Sequence, residues 1–301
     1  MAALACGGVP AAAQEISKQV IAVPGYANFA EIDPRDGSVW INNENRVEHW
    51  STAGKLGQIV MKKPCGAMFI VGSDLWAADC SNGSLNRIDT AALKITASVM
   101  TGLASPGEFN VAYGAGSLWV PSDNKGVISR VDPVTLKVTA SIPVDPGTWY
   151  LVYGYDALWA ASGKTGGLLK IDPATNRVVH KAIMGKEPGF LAAGEGGIWV
   201  QEQGDGTVAR VDPVTGEVNG RVKIGEQLKW GEITAGGGKI WLRTTEEQLF
   251  VVIDPKTLAI KARIGEQVGS GALRYIEAGL WTTEHDIDTM TWWPNPERIG
   301  N

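Results

Sequence analysis

A tryptophan preceded by an apolar residue recurs at positions 40, 76, 119, 159, 199, 241 and 281, at spacings of 36, 43, 40, 40, 42 and 40 residues. A period of this length means one supersecondary unit packed against copies of itself, and it limits the possible folds more than any other feature of the chain. Thirteen residues after five of these tryptophans comes an Asp, at Asp89, Asp132, Asp172, Asp212 and Asp254. Each follows Ile or Val, and four of the five precede Pro. The nonapeptides RVDPVTLKV (130–138) and RVDPVTGEV (210–218) are nearly identical. The IDP at 32–34 precedes its Trp by seven residues and lies outside the pattern.

One unit can be read from 187–224. PGFLAAG, IWVQE, TVARVD and EVNGRVKI are short β-branched or apolar runs separated by the turns EGG, QGDG and PVTG. Such runs read as strands, and helical 3.6-residue periodicity is absent. Asp-Pro suits the third turn, because Asp can bond the backbone ahead while Pro presets the next dihedral. Four strands in about 40 residues describe a β-propeller blade. The expected fold is therefore all-β: a seven-bladed β-propeller of four-stranded blades spanning 15–301. After Trp281 only TMTWWPN remains for a third strand, and EISKQVIAV (15–23) resembles the outer-strand segment LKVTASIPV (136–144). The N-terminal strand is thus expected to complete the last blade, close the ring and remove free sheet edges.

The first segment, 1–14, reads as the remnant of an export leader. MAALACGGVPAAAQE is small and apolar, and AAAQ resembles a signal-peptidase site. Too little hydrophobic sequence precedes Cys6 for a lipoprotein box. No run of 18 apolar residues occurs, so no membrane span is expected. A net charge of −5 and a pI near 5.4 argue against nucleic acid as a partner. The expectation is a periplasmic or secreted monomer. In that setting Cys65 and Cys80 are expected to form a disulfide, because a hairpin centred on Gly72-Ser73 pairs Phe69 with Trp76 and, in the same register, Cys65 with Cys80.

The two faces of the disc differ. The turns joining first to second and third to fourth strands are monotonous. The links between blades are individual: KKPCGAM, GLASPGEFN, DPGTWYL, GKEPGF, EQLKWGE and EQVGSGALR. Scaffolded loops released from a common pattern suit ligand binding. The variable face carries Tyr26, Phe29, Phe109, Trp149, Tyr150, Phe190 and Trp230, with Lys63, Glu108, Lys186, Glu187, Lys229, Glu232 and Arg274 beside them. An aromatic mouth of this kind suits a small-molecule or peptide ligand, with Trp149, Tyr150, Trp230, Arg243 and Arg274 as contacts. The alternative is that these aromatics plug the channel.

The units GSLWVPSDNKGVISRVDPVTLKV and GGIWVQEQGDGTVARVDPVTGEV resemble those of the virginiamycin B lyase (streptogramin lyase) family and its YVTN-repeat propeller relatives. The similarity covers roughly 15–301 and bears on fold more than on activity. It implies a magnesium-assisted elimination at a cyclic ester, with a base that takes an α-proton and a cation that steadies the enolate. On that basis His285 is the candidate base, Glu284 its catalytic partner, and Glu284 with Glu202 the magnesium ligands. The second histidine that the family's site implies is not evident, since His49 and His180 fall elsewhere in their blades. Adjacent residues of a strand point to opposite sides, so Glu284 and His285 can share a ligand only if the strand has already ended. A lactonase, a non-catalytic binding propeller and, more distantly, a redox subunit stand as alternatives.

Overall fold

The computed structural model describes residues 16–103, 108–228, 231–244 and 248–301, and among them forms seven four-stranded antiparallel sheets. Six are consecutive quartets, of which the first runs Ala27–Ile32, Val39–Asn43, Arg46–Ser51 and Gly54–Val60. The seventh joins Leu273–Ile276, Gly279–Glu284 and Thr289–Pro294 to the N-terminal strand Gln19–Ala22. Gln19 pairs with Trp292 and Ala22 with Thr289. The ring closes as the sequence implies, and the outer edge of the last blade is covered by its own chain.

The seven repeat tryptophans are at most 1% exposed. Burying roughly 200 Å² apiece at about 25 cal/mol per Å² is worth ~5 kcal/mol each before chain entropy is counted. In blades three to six the indole N–H donates to the carbonyl of the glycine five residues earlier: Gly114, Gly154, Gly194 and Gly236. Across the strand pair from Trp119, Trp159 and Trp199 stand Arg130, Lys170 and Arg210. The first two lie 4.8 and 5.2 Å from the indole rings. All three reach forward to the next blade and donate to the carbonyls of Pro173, Pro213 and Pro255, at 2.6, 2.7 and 2.8 Å. The repeated Asp-Pro is thus half of a blade-to-blade tie. Its Asp holds the turn by accepting backbone N–H bonds, as Asp212 does from Val214 and Thr215, and these bonds depress its pKa. Asp33, in the out-of-pattern IDP, instead opens the turn between the first two strands of blade one.

Cys65 and Cys80 are disulfide-bonded, with Cα atoms 5.9 Å apart. The pairing was legible but the register was not. Phe69 does face Trp76, yet a bulge between Cys65 and Phe69 sets Cys65 opposite Ala78, and Cys80 lies just beyond the strand. Such an insertion re-aims a strand end without disturbing the ladder beyond it.

Candidate functional site

Glu284 and Glu202 occupy the same repeat position, three residues after the blade tryptophan, with Asn43, Asp79, Ser122, Ser162 and Thr244 as their counterparts. All seven are buried. In four blades this residue holds the link that precedes its own blade. Asn43 Oδ1 accepts from the Tyr26 N–H and its amide donates to the Pro24 carbonyl. Asp79 accepts from the Lys63 N–H, Ser162 donates to the Pro146 carbonyl, and Glu202 accepts from the Gly185 N–H at 2.8 Å. Glu202 also receives Thr207 and Arg221. Glu284 accepts from three threonine hydroxyls, Thr282, Thr289 and Thr291, at 2.5, 2.9 and 3.2 Å. Burial raises its pKa against the pull of those bonds.

Glu202 is already held by a backbone N–H, a hydroxyl and an arginine, and Glu284 by three hydroxyls. Among the described residues no three His, Cys, Asp or Glu side chains gather at metal-binding spacing. Magnesium needs several oxygen ligands around one point. The residues present do not fit that ion.

His285 opens a short 3₁₀ turn, His285–Ile287, directly after the strand ending at Glu284. The strand therefore ends at the boundary between the two residues, and each has its own partners: three threonine hydroxyls for Glu284 and the Tyr26 ring for His285. The His285 ring stacks on Tyr26, with centroids 4.0 Å apart, and its Nδ1 lies 2.6 Å from Asp286 Oδ1 without good hydrogen-bond direction. Nε2 is buried with no hydrogen-bond partner. Burial lowers the pKa of the ring more than Asp286 raises it, so the neutral form is favoured. Tyr26 is brought there by a clasp in which the Val23 N–H donates to the Asp288 carbonyl and the Gly25 N–H to Asp288 Oδ1.

The expected aromatic mouth is in fact an aromatic plug. Phe29 of blade one and Phe190 of blade five meet across the channel with centroids 6.1 Å apart, and Tyr150 of blade four packs on Phe190 at 4.7 Å. Phe29, Phe109, Tyr150 and Phe190 are all at most 6% exposed. Burial, with Glu108 nearby, raises the Tyr150 pKa. Trp149 packs partly buried against the same cluster. Trp230 and Lys229 lie outside the described residues. Tyr26 is the aromatic that stands out, at 50% exposure.

The plug separates two cavities. Above it, on the variable face, about 310 Å³ is bounded by Tyr26, Asn28, Phe29, Glu44, Lys63 and Glu108. Burial and the charge of Glu232 raise the Glu108 pKa. Below it, about 220 Å³ lies in the channel, with Phe190 as its roof and Glu31, Asn110, Glu232 and Arg274 among its walls. Arg274 makes a two-pronged pair with Glu232, at 2.6 and 2.8 Å, and its Nε is 3.7 Å from Glu31. Arg274 therefore belongs to the channel wall. Arg243 is 1% exposed, stitches blade six to blade seven through the carbonyls of Thr244, Leu249 and Thr283, and is pushed down by burial to about 10.

The sequence pointed to Tyr26, Lys63 and Glu108 as surface features but missed Glu31 and Asn110. An acid inside the inner strand ANFAEI was the available signal, since ionisable residues rarely enter a core strand without a partner.

No family model matches the chain, and no curated protein matches it by sequence. Solved structures do match it in shape. A chain of Kuenenia stuttgartiensis hydrazine synthase shares 13% identity at a TM-score of 0.77, covering 97% of this chain and 100% of that one. The Cps50 (Swd1) β-propeller domain of Myceliophteria thermophila shares 13% at 0.75, covering 92% and 99%. BamB from Moraxella catarrhalis shares 14% at 0.66, covering 89% and 85%. Identities this low carry the fold and not the chemistry. The chain is thus a seven-bladed β-propeller with a disulfide consistent with a non-cytoplasmic protein, a fold that suits a binding scaffold.

Proposed function

We propose that the chain is a periplasmic or secreted monomer that binds a peptide or peptide-like small molecule on its variable face, in the cavity beside Tyr26. The observation that carries this reading is the half-exposed Tyr26 ring, braced from behind by His285 and standing at a cavity that holds both a cation, Lys63, and a part-buried acid, Glu108. A rigid aromatic wall with a charge of each sign fits the stacking, amide and zwitterionic groups of a short peptide. Export is supported by the leader-like 1–14 segment and by the disulfide, which joins the Pro64-Cys65 wall of this cavity to Cys80.

The test is affinity selection of a tripeptide library on the purified chain, repeated with Tyr26→Ala and Glu108→Gln. Enriched peptides lost in both variants support the reading, and an enrichment pattern unchanged by both removes it.

The His285–Asp286 contact favours a second reading, a lyase of the streptogramin type acting on a cyclic ester. A neutral imidazole with a carboxylate 2.6 Å from its Nδ1 is suited to take a proton at Nε2. Its Nε2 is buried, so the residues around it would have to move before a substrate could reach it. Turnover of a cyclic depsipeptide that disappears in His285→Ala would support this reading, and no turnover with retained binding would leave the scaffold.

A further inference from the structure

The cavity below the plug carries charge that the variable-face reading does not use. Arg274 and Glu232 satisfy each other through two short bonds, which leaves Glu31 with a looser 3.7 Å contact to the guanidinium. The three side chains come from three blades, on the strand Ala27–Ile32, just before Ile233–Gly236, and on Leu273–Ile276. With both carboxylates ionised the cluster holds one uncompensated negative charge, a costly arrangement in a low-dielectric wall. Asn110 lines the same cavity, and its Oδ1 is buried with no hydrogen-bond partner. Glu31 accepts one backbone bond, from the Ile70 N–H, and keeps further lone pairs beside the unpartnered Asn110 Oδ1, and buried acceptors left unmatched call for an explanation. The rest of the wall is largely apolar and includes four aromatics: Phe69 and Tyr113, 5.8 Å apart, with Tyr153 and Phe190.

We infer that this lower cavity binds a small molecule through a primary ammonium group, held by Glu31 and Asn110 with its apolar part against Phe69, Tyr113 and Phe190. An ammonium brings three donors and one positive charge, which answers both the unmatched acceptors and the excess charge. Aromatic faces around it add cation–π attraction. At about 220 Å³ the space is below the usual range for drug-sized ligands, ~300–1,000 Å³, so the guest is small. A metal ion is a poor occupant, because no third His, Cys, Asp or Glu joins the two carboxylates at ligating distance among the described residues.

Binding depends on the ionised form of Glu31. The groups that set its titration are Arg274 and the Ile70 N–H, which lower its pKa, and Glu232 and Asp33, which raise it. Burial outweighs them and pushes it up to about 7. The ionised fraction therefore rises about tenfold between pH 6 and pH 8.

Calorimetric titration of the full chain with n-butylammonium chloride tests the site, with 1-butanol as the neutral counterpart. The expected result is saturable binding at pH 8 that weakens about tenfold at pH 6, with 1-butanol at least about tenfold weaker. Glu31→Gln is expected to weaken it between about tenfold and a hundredfold and Asn110→Leu by a smaller factor, with Tyr26→Ala unchanged. Equal affinity for 1-butanol, no pH dependence in the unaltered chain, or loss in Tyr26→Ala would each overturn the proposal. The pH series needs no variant, so it decides even if Glu31→Gln fails to fold.

Discussion

The two ends of the channel are made by the same inner strands, yet they present opposite chemistry. At the variable-face end the strands deliver Phe29, Tyr150 and Phe190, whose rings meet and close the lumen. At the other end they deliver Glu31, Asn110 and Arg274, and the lumen stays hollow. Large rings from different blades can touch across the axis and exclude water, whereas Arg274 and Glu232 pair along the wall and leave the axis open. In this propeller the scaffold fixes where a side chain sits, and the size and charge of that side chain decide whether the channel is plug or pocket.

Removing the plug should have the largest effect. Phe190→Ala deletes the ring that roofs the lower cavity and touches both Phe29 and Tyr150. Loss of a buried phenyl costs about 3–5 kcal/mol, visible as a lowered denaturant midpoint. Any part of that loss recovered by a saturating apolar ligand would show that the two cavities had merged.

The disulfide separates the ends next. It closes a segment with a sequence separation of 15 residues beside the upper cavity only. Cys65→Ser with Cys80→Ser should cost about 3 kcal/mol in urea unfolding. Peptide binding above the plug should weaken in that variant, while ammonium binding below it should not.

A pH titration of stability isolates the lower end when the unaltered chain is compared with Glu31→Gln. The folded pKa of Glu31, about 7, lies above the unfolded carboxylate value, so the folded state holds the extra proton. Its contribution is fully present below about pH 4.5 and is lost as pH rises through 7, a decline on the order of 3 kcal/mol. Glu31→Gln should flatten this slope when unfolding free energy is followed from pH 5 to pH 8. An unchanged slope would mean that Glu31 is solvated in the native state.

Tyr26→Ala is the mildest change. The ring is half-exposed, so unfolding free energy should fall by no more than about 1 kcal/mol. Peptide binding at the upper end should nonetheless be lost. A large destabilisation would instead make Tyr26 a structural brace for His285.

The repeat made the ring legible. Blade number, strand count and the closing N-terminal strand follow from local periodicity, and local periodicity survives in sequence. The Cys65–Cys80 pairing was legible for the same reason, although the bulge that sets its register was not. The candidate site was read less well because its residues meet only through the ring. Nothing near Phe29 in the chain reveals that Phe190 will face it. Glu284 looked like a ligand because it adjoins His285, but comparison down its column with Asn43, Asp79 and Ser162 shows a position that satisfies loop backbone or nearby hydroxyls. The one acid in the ANFAEI strand was the overlooked clue, since the guanidinium it meets arrives from blade seven, far along the chain.

The most direct test of the divided channel is a crystal structure of the chain grown with n-butylammonium and with a tripeptide selected on the variable face. The expected result is two separate densities, the amine below Phe190 between Glu31 and Asn110, and the peptide above Phe29 against Tyr26. Continuous density through the plug, or both ligands on one side of it, would contradict the account.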